Sequence, residues 1–466
     1  MKPAVIHKIV TVVLFVLGSV TSLVYADGDN KGYIAQQVVV RVKAGSSVDS
    51  VLPLYNAIVL DSLPELRCYL LSTPAAEDAE SLSTEIELEP EVEGADANYY
   101  VSAPEPVQSS QPFIDLAHSG TFTDQPAGKT LNLVSAHTMA DGAAVRVGVL
   151  DGGIDFNHPV LQATTTSGYD YIDHDNISMD EPGGRSSGHG TFVAGVIKLV
   201  APAAESRAYR VLDTAGQGSG FSIADAIVRA VSEGCKVINL SLVMTSPVIA
   251  IDAAIDYATA HDVIVVAAVG NDTSNVVRYP AILPTVLSVA AVDSLDQFAR
   301  FSNFGPRVDI CAPGVNIYAP YTGSQYAWWN GTIFAAPFVA GVASLLYQTD
   351  PGATSAGVRN IILGTGKNID ALNPEFVGKM GHGRLEVGAA ITLCRNPICG
   401  DISHDWIGPD LSDLDYLIDY LSGVGPAPRN MKKASVTGSG LLPDISDIAF
   451  LVDYLSGIGP ALLCTP

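Results

Sequence analysis

Three polar residues of this 466-residue chain could together manage protons and negative charge in a reaction at a carbonyl. Asp151 follows the apolar run 145–150, His189 stands between two glycines, and Asn271 closely follows the apolar run 263–268. A carboxylate can orient an imidazole, an imidazole can accept a proton from a nucleophile, and a side-chain amide can donate to a developing oxyanion. Taken singly, Asp151 and Asn271 are equally typical of turns and caps.

His189 opens an apolar segment that is predicted to be a helix. We expect its ring to be exposed at the helix N-terminus, because a core histidine would not need flanking glycines. The elements that must position these side chains are short, largely apolar strands alternating with helices, a pattern typical of an α/β fold whose parallel sheet is covered on both faces. The predicted strands are 145–150, 208–211, 236–240, 263–268 and 286–292. Ligands of such folds bind at the carboxyl ends of the strands.

Four segments in this order resemble the subtilisin-like serine proteases, the subtilases. They are Asp151-Gly-Gly-Ile-Asp155, Ser187-Gly-His189-Gly-Thr-Phe-Val-Ala-Gly195, Ala267-Ala-Val-Gly-Asn271, and Asn330-Gly-Thr-Ile333-Phe-Ala-Ala-Pro337. The resemblance covers about residues 131–391. It implies a subtilisin-like α/β fold, catalytic roles for Asp151 and His189, and an oxyanion role for Asn271. It also implies a substrate-lining strand through Ser241 and Leu242, a peptide or protein segment as the ligand, and no cofactor for the chemistry.

The sequence departs from the family at the nucleophile, because Ile333 stands where the family has serine after Gly331-Thr332. Isoleucine has no proton to give His189 and no lone pair to attack a carbonyl, so the acyl-enzyme route is closed at its first step. We do not expect Thr332 to replace it, because its hydroxyl leaves the chain in another direction. Loss of the nucleophile from a triad that acts as a unit costs on the order of a millionfold in turnover.

The preferred interpretation is therefore a pseudoprotease, which keeps a peptide-binding cleft without the chemistry. An isolated change in an otherwise intact site is the alternative for Ile333, and residual serine endopeptidase activity stays open with it. A third possibility is a structural or interaction protein attached to a surface through its C-terminal region.

The N-terminal region predicts export. Lys2 and Lys8 precede an apolar run and the small-x-small pattern Val24-Tyr25-Ala26, which indicates a secretory signal peptide over residues 1–26. Residues 27–101 predict a small α+β unit that resembles a subtilase propeptide, with strands at 37–42, 57–60, 68–72 and 92–101 and a helix over 77–88. Residues 102–130 are a predicted linker, rich in Pro and Ser at its start. If Ile333 blocks self-cleavage, we expect the propeptide to remain over the cleft.

The C-terminal region, residues 394–466, repeats itself at an offset of 34 residues and follows the predicted subtilase-like domain at 131–393. Asp413 and Asp447 are expected to start two helices that Gly423 and Gly457 end. The repeats resemble dockerin modules, which bind calcium through loop oxygens and dock to a cell-surface, cohesin-like partner. That resemblance assigns four calcium ligands in the first loop: Asp401, Ser403, Asp405 and Asp413.

Both loops depart from this pattern. Trp406 stands where a tight loop favours glycine, and Asp401 and Asp413 lie one residue farther apart than in a twelve-residue loop. The second loop has mostly hydroxyls in place of carboxylates, so we expect any calcium at the first loop. The alternative is a simple helix pair held by leucines and a disulfide between Cys399 and Cys464.

Composition limits the remaining functions. With 49 acidic and 25 basic side chains the formal net charge is −24, which argues against nucleic-acid binding. After signal cleavage we expect a secreted or extracellular protein that is not an integral membrane protein. Cys235 and Cys311 lie in apolar runs and are interpreted as small buried hydrophobes rather than as disulfide partners.

Overall fold

A seven-stranded parallel sheet forms the centre of the protein, with its strands in the order Ile310–Pro313, Leu287–Val292, Ile264–Ala268, Val237–Leu240, Arg146–Asp151, Glu205–Arg210 and Thr165–Asp170. The computed structural model describes residues 32–74, 77–102, 111–115, 121–244, 246–396, 398–438 and 442–464. The predicted signal peptide and most of the Pro- and Ser-rich start of the linker lie outside these residues. The strands are β1 Tyr33–Val42, β2 Ile58–Leu63, β3 Cys68–Ser72, β4 Val92–Ser102, β5 Phe113–Ile114, β6 Arg146–Asp151, β7 Thr165–Asp170, β8 Glu205–Arg210, β9 Gln217–Ser219, β10 Val237–Leu240, β11 Ile264–Ala268, β12 Leu287–Val292, β13 Ile310–Pro313, β14 Ile317–Tyr321 and β15 Gln325–Trp329.

Helices cover both faces of this sheet. The α-helices are α1 Ala79–Ile86, α2 Pro126–Thr130, α3 Leu133–Ala136, α4 His189–Val200, α5 Gly220–Ser232, α6 Ile249–Ala260, α7 Thr332–Thr349, α8 Ser355–Gly364, α9 Val387–Arg395, α10 Leu411–Leu421, α11 Met431–Ala434 and α12 Ile445–Leu455. Alternate strand side chains enter different cores. Val147 and Val149 pack with α4 and α7, whereas Leu150 packs with α5 and α6. Strands buried on both faces explain the apolar runs, and the predicted α/β class is confirmed.

One helix explains an otherwise membrane-like stretch. Among the described residues, Thr332–Thr349 is long and apolar enough to cross a membrane by length and composition, and 89% of that window is buried inside the protein. This is α7, which packs against α4 and against strands of the central sheet. Its composition therefore reflects a position in the core.

The N-terminal unit is an antiparallel sheet of order β2-β3-β1-β4 with α1 packed on it. Asp78 caps α1 by accepting a hydrogen bond from the Ser81 N–H. All four predicted strands and the helix are present; β3 matches its prediction at both ends, and the others shift at one or both ends. The sheet continues into the large domain, because β4 also pairs with β9.

The C-terminal region contains the two repeated helices, α10 and α12, around a small apolar core that includes Leu417 and Leu451. The expected helix starts are wrong by three residues. Asp410 and Asp444 are the N-caps, and Asp413 and Asp447 complete capping boxes from the third helical position. In each copy the N-cap side chain accepts from the backbone N–H of the third helical residue, and the side chain of that residue accepts from the N-cap N–H. Each helix therefore starts before the aspartate that the repeat suggested.

Cysteine pairing agrees with the sequence-based alternatives. A disulfide joins Cys399 and Cys464, which closes the C-terminal region. Cys235 and Cys311 are buried and free, as are Cys68 and Cys394. The free thiols therefore pack as small apolar groups.

Candidate active site

Asp151 and His189 form a buried hydrogen-bonded pair. The His189 Nδ1 atom lies 2.7 Å from Asp151 Oδ1, and each side chain is 1% exposed. A carboxylate has acceptor atoms and no donor, so the imidazole donates its Nδ1 proton to Asp151. Asp151 Oδ1 also accepts a 2.7 Å hydrogen bond from the Gly152 N–H. The pair therefore fixes the ring orientation that a general base requires.

Two glycines allow close approach around His189: Gly190 to the loop that follows Asp151, and Gly188 to the Tyr321 ring of β14. Asp151 is the last residue of β6, and His189 is the first residue of α4. A Cβ atom on Gly190 would lie 2.1 Å from the Gly153 carbonyl oxygen, and one on Gly188, whose φ is +81°, would lie 2.1 Å from the Tyr321 ring. The glycines around His189 are thus required by packing.

The expected exposure of the His189 ring is wrong. Trp329 packs edge-to-face on the ring at a centroid distance of 5.7 Å, and Phe334 lies at 5.4 Å. These aromatic rings also contact each other and Phe192. The helix N-terminus is therefore closed over by aromatic side chains from β15 and α7, which the local glycine pattern could not reveal.

Ile333 lies in the first turn of α7 and is fully buried. Its carbonyl oxygen accepts a 2.8 Å hydrogen bond from Ser241 Oγ. A Cβ atom on Gly331 would lie 2.8 Å from Ile333 Cγ1 and 3.4 Å from Asn271 Nδ2. The isoleucine side chain therefore lies beside Gly331, on the same side as the Asn271 amide.

Asn271 is held by the residue before Ile333. Its Oδ1 atom accepts 2.9 Å hydrogen bonds from both the backbone N–H and the hydroxyl of Thr332. With Oδ1 occupied in this way, the remaining polar atom is the Nδ2 donor, the atom that an oxyanion would need. The Thr332 hydroxyl points to Asn271, which agrees with the expectation that it does not replace a nucleophile.

The segment predicted to line a substrate contacts the N-terminal unit through its backbone. The side chains of Ser241 and Leu242 are both buried, whereas Val243 exchanges backbone hydrogen bonds with Ser102 at 3.1 and 3.4 Å. On the other side, Tyr100, Val101 and Ser102 of β4 pair with β9 in antiparallel register. The end of β4 therefore lies between two extended segments of the large domain, β9 and the segment at Val243.

Side chains of β4 also cap two helices of the large domain. Asp96 accepts a 2.7 Å hydrogen bond from the Ile249 N–H at the start of α6, and Asn98 accepts one at 3.2 Å from the Phe221 N–H in α5. Val248, the N-cap residue of α6, supplies no side-chain cap of its own. Burial and the nearby charges of Glu87 and Asp252 raise the pKa of Asp96.

The proposed calcium ligands in the first C-terminal loop do not form a clear ion site. Asp401 accepts hydrogen bonds from the N–H groups of Asp405 and Trp406, and Asp413 accepts them from Ile402, Ser403 and Asp410. Within the described ranges, no three acidic, His or Cys side chains are arranged to hold a metal ion. Burial, with Asp413 and Asp405 nearby, raises the pKa of Asp401 to about 7. The donor set therefore does not fit calcium in this conformation.

Sequence reasoning missed the groups that surround the pair. Trp329 directly precedes the nucleophile segment and Phe334 lies within it, and the double tryptophan before Asn330 is a visible signal. Asp180 is a buried carboxylate that accepts hydrogen bonds from the first turn of α4. It lies nine residues before His189, at a spacing that belongs to no regular element, so no sequence signal marked it.

The comparisons with known proteins agree with this geometry. The model of the subtilase family matches residues 142–383, just over half of the chain, and the fervidolysin N-terminal prodomain matches residues 21–98. A solved structure of fervidolysin from Fervidobacterium pennivorans superposes with a TM-score of 0.65 at 23% identity. It covers 78% of this chain and 62% of that one, and it supports the fold.

Two curated relatives share more sequence. The thermophilic serine proteinase of Bacillus sp. (strain AK1) is 38% identical over 53% of this chain and 61% of that protein. Subtilisin Savinase of Lederbergia lenta is also 38% identical, over 50% of this chain and 87% of that protein. Family chemistry of this kind needs no cofactor. The chain therefore belongs to the subtilase family.

Proposed function

We propose that this protein is a pseudoprotease that binds peptide or protein segments in a subtilase cleft and does not hydrolyse them. The observation that carries the proposal is Ile333, a buried hydrocarbon side chain at the start of α7 beside Asn271. The Asp151–His189 pair and the Asn271 amide can still orient a carbonyl group, but residue 333 supplies no attacking atom. The proteinase activity that the name of one relative states belongs to that relative and does not by itself assign an activity to this chain.

The test compares the unaltered chain with Ile333→Ser and Ile333→Ala. We expect hydrolysis of a peptide amide, and cleavage between the N-terminal unit and the large domain, only in Ile333→Ser. Ile333→Ala opens the same space without a nucleophile and is the matched control. Mass spectrometry of the purified chains measures cleavage, and a fluorogenic peptide measures turnover.

Each outcome separates the open alternatives. Equal hydrolysis by the unaltered chain and Ile333→Ser, abolished by His189→Ala, would establish a serine-type or unconventional endopeptidase and overturn the proposal. Peptide affinity that persists in a chain ending at Leu393 would count against the third possibility, a structural protein that is attached through its C-terminal region and needs no cleft. If neither the unaltered chain nor either variant binds peptide, the binding proposal is contradicted.

Export is part of the same proposal. The signal-peptide pattern of residues 1–26, the prodomain match and the Cys399–Cys464 disulfide are each typical of proteins that fold outside the cytosol. N-terminal sequencing of the secreted protein tests it, with Ala26 as the expected last residue of the removed segment.

A second candidate function is docking through the C-terminal repeats to a cohesin-like surface protein. Equivalent apolar residues are exposed in both copies: Leu411 with Ile445, Ile418 with Val452, and Val424 with Ile458. Exposed apolar side chains that recur in two repeats are typical of a binding surface. Calorimetry with a cohesin domain tests this, and Val424→Asp with Ile458→Asp should abolish binding while Val134→Asp, on the large domain, should not.

Calcium at the first loop stays a prediction tied to that candidate, and it would require Asp401 and Asp413 to release the backbone N–H groups that they accept from in this conformation. The same titration with calcium alone, repeated with Asp401→Asn, tests it. Heat of binding that disappears in the variant would support the site, and identical traces would contradict it.

A further inference from the structure

Asp180 is a buried carboxylate that serves three donors of a single helical turn. It lies between β7 and α4 and is 5% exposed. Its Oδ1 atom accepts a 3.0 Å hydrogen bond from the Gly188 N–H, and its Oδ2 atom accepts hydrogen bonds from the Thr191 hydroxyl at 2.6 Å and the Thr191 N–H at 3.3 Å. Gly188 is the N-cap of α4 and has no side chain to offer. Asp180 therefore caps the His189 helix from outside it.

Thr191 links this cap to the loop of Asp151. Its Oγ1 atom accepts a 2.9 Å hydrogen bond from the Asp155 N–H, four residues after the end of β6. Asp155 in turn accepts a 3.0 Å hydrogen bond from the Gly323 N–H. A continuous path of hydrogen bonds thus runs from Asp180 through Thr191 to the segment that carries Asp151.

The chemistry of the site explains why a carboxylate is present despite its cost. Burial raises the pKa of Asp180 to about 7, and the nearby charge of Asp151 adds to the effect; Tyr321 is the other titratable group beside it. Among the described residues, the three groups that hydrogen-bond to Asp180 are donors, so an ionised carboxylate can accept from each of them. An amide would turn its NH₂ group toward one of these donors.

We propose that Asp180 is a positioning residue for the Asp151–His189 pair, acting through the first turn of α4 and through Thr191. The inference does not depend on whether the chain hydrolyses peptides, because it concerns the geometry of the pair and not the missing nucleophile. It assigns to Asp180 and Thr191 a role that the sequence motifs do not contain.

The experiment observes the imidazole proton directly in the full chain. The Nδ1 proton of His189, which donates to Asp151, gives a ¹H NMR signal that ¹⁵N-histidine labelling and loss of the signal in His189→Gln identify. We expect Asp180→Asn to shift or broaden this signal. Asp309→Asn is the control. It removes another partly buried carboxylate, which accepts from Ser288 at the opposite end of the sheet, and it should leave the signal in place.

A second pair of variants keeps the test decisive if Asp180→Asn does not fold. Thr191→Val removes the hydroxyl at nearly constant shape, whereas Thr191→Ser retains it. We expect the signal to change in Thr191→Val and to persist in Thr191→Ser. An unchanged signal in folded Asp180→Asn, or equal spectra of the two Thr191 variants, would overturn the proposal.

Kinetics provide an independent readout in the Ile333→Ser background. There Asp180→Asn should lower kcat on the order of a hundredfold with little change in KM, because a misplaced base affects the chemical step more than binding. If Ile333→Ser is inactive, the proposed function loses its support, whereas the NMR result on the unaltered chain still decides the role of Asp180.

Discussion

Ile333 is fully buried, and its backbone carbonyl accepts a hydrogen bond from Ser241. The residue therefore contributes to packing although it lacks the chemistry of a nucleophile. Ile333→Ala should lower the free energy of unfolding by about 2–5 kcal/mol, because it removes buried carbon atoms and leaves a cavity. Ile333→Ser should lose a similar amount. Urea denaturation measures both.

This comparison separates stability from activity. If only Ile333→Ser hydrolyses peptides although both variants are equally destabilised, loosening of the site is excluded as the cause. Unchanged stability in both would show that the isoleucine is not packed as the structure places it.

At the scale of single residues, the site groups that could be predicted from the sequence are those that lie in the family segments. Asp151 and Asn271 follow predicted strands and His189 starts a predicted helix. The structure pairs Asp151 with His189 and places Asn271 against Thr332, the residue before Ile333. The burial of His189 was not predictable, because it depends on Trp329 and Phe334, which lie about 140 residues away in the chain. Contacts of this kind depend on how strands and helices pack.

At the scale of elements, Trp406 joins the C-terminal region to the large domain. Its side chain is 4% exposed, and a Cβ atom on Gly357 of α8 would lie 3.1 Å from its ring. The Asn360 side chain donates a 2.7 Å hydrogen bond to the neighbouring Asp405 carbonyl oxygen. Trp406 has a φ of +60°, the left-handed conformation that glycine adopts without strain. The loop thus keeps a glycine-like backbone while presenting an indole to α8.

Trp406→Gly therefore makes two effects compete. Glycine would relieve backbone strain of about 1 kcal/mol, but loss of the buried indole costs about 3–5 kcal/mol. We expect net destabilisation, and faster proteolysis near residues 398–408. Asn316→Gly is the control, because Asn316 also has positive φ but an exposed side chain, and it should not destabilise. A more stable Trp406→Gly chain would show that the tryptophan is not an anchor.

The disulfide acts on the same region. Cys399 and Cys464 are separated by 65 residues, and closing a loop of this length stabilises the folded state by about 4 kcal/mol in the chain-entropy description. Cys399→Ser with Cys464→Ser should therefore lower the melting temperature of the C-terminal region while the large domain melts as before. Calorimetry with two resolved transitions measures this, and a loss of stability in both transitions would contradict it.

Element boundaries show where sequence patterns stop being informative. The predicted strand 68–72 matches β3 at both ends, because turn residues bound a clear apolar run. The N-caps of the repeated helices lie three residues before the predicted starts, because the capping boxes use two aspartates in each copy. A sequence pattern that contains both aspartates does not show which one is the N-cap and which one is the third residue of the helix.

At the scale of the whole molecule, the N-terminal unit and the large domain meet through carboxylates. Asp225 of α5 has a pKa raised to about 6 by burial and by Asp61 and Glu65 of the N-terminal unit, against the lowering effect of Arg229. Asp96 and Asp252 lie across the same interface, and burial raises the pKa of each. Asp252 also faces Asp256 and Arg41, and it accepts a hydrogen bond from Tyr279.

These shifts predict that the N-terminal unit docks more tightly in mild acid. A carboxyl whose pKa is raised in the docked state binds protons there more readily, so its contribution is present below its ordinary pKa and is lost as pH rises through about 6. With an engineered cleavage site in residues 103–112, the separated unit should dissociate up to about tenfold more readily at pH 8 than at pH 5. Asp225→Asn should flatten this dependence, whereas Asp453→Asn, which removes an exposed charge from the C-terminal region, should preserve it. Equal or tighter binding at pH 8 would mean that the protonation of these carboxylates does not govern docking.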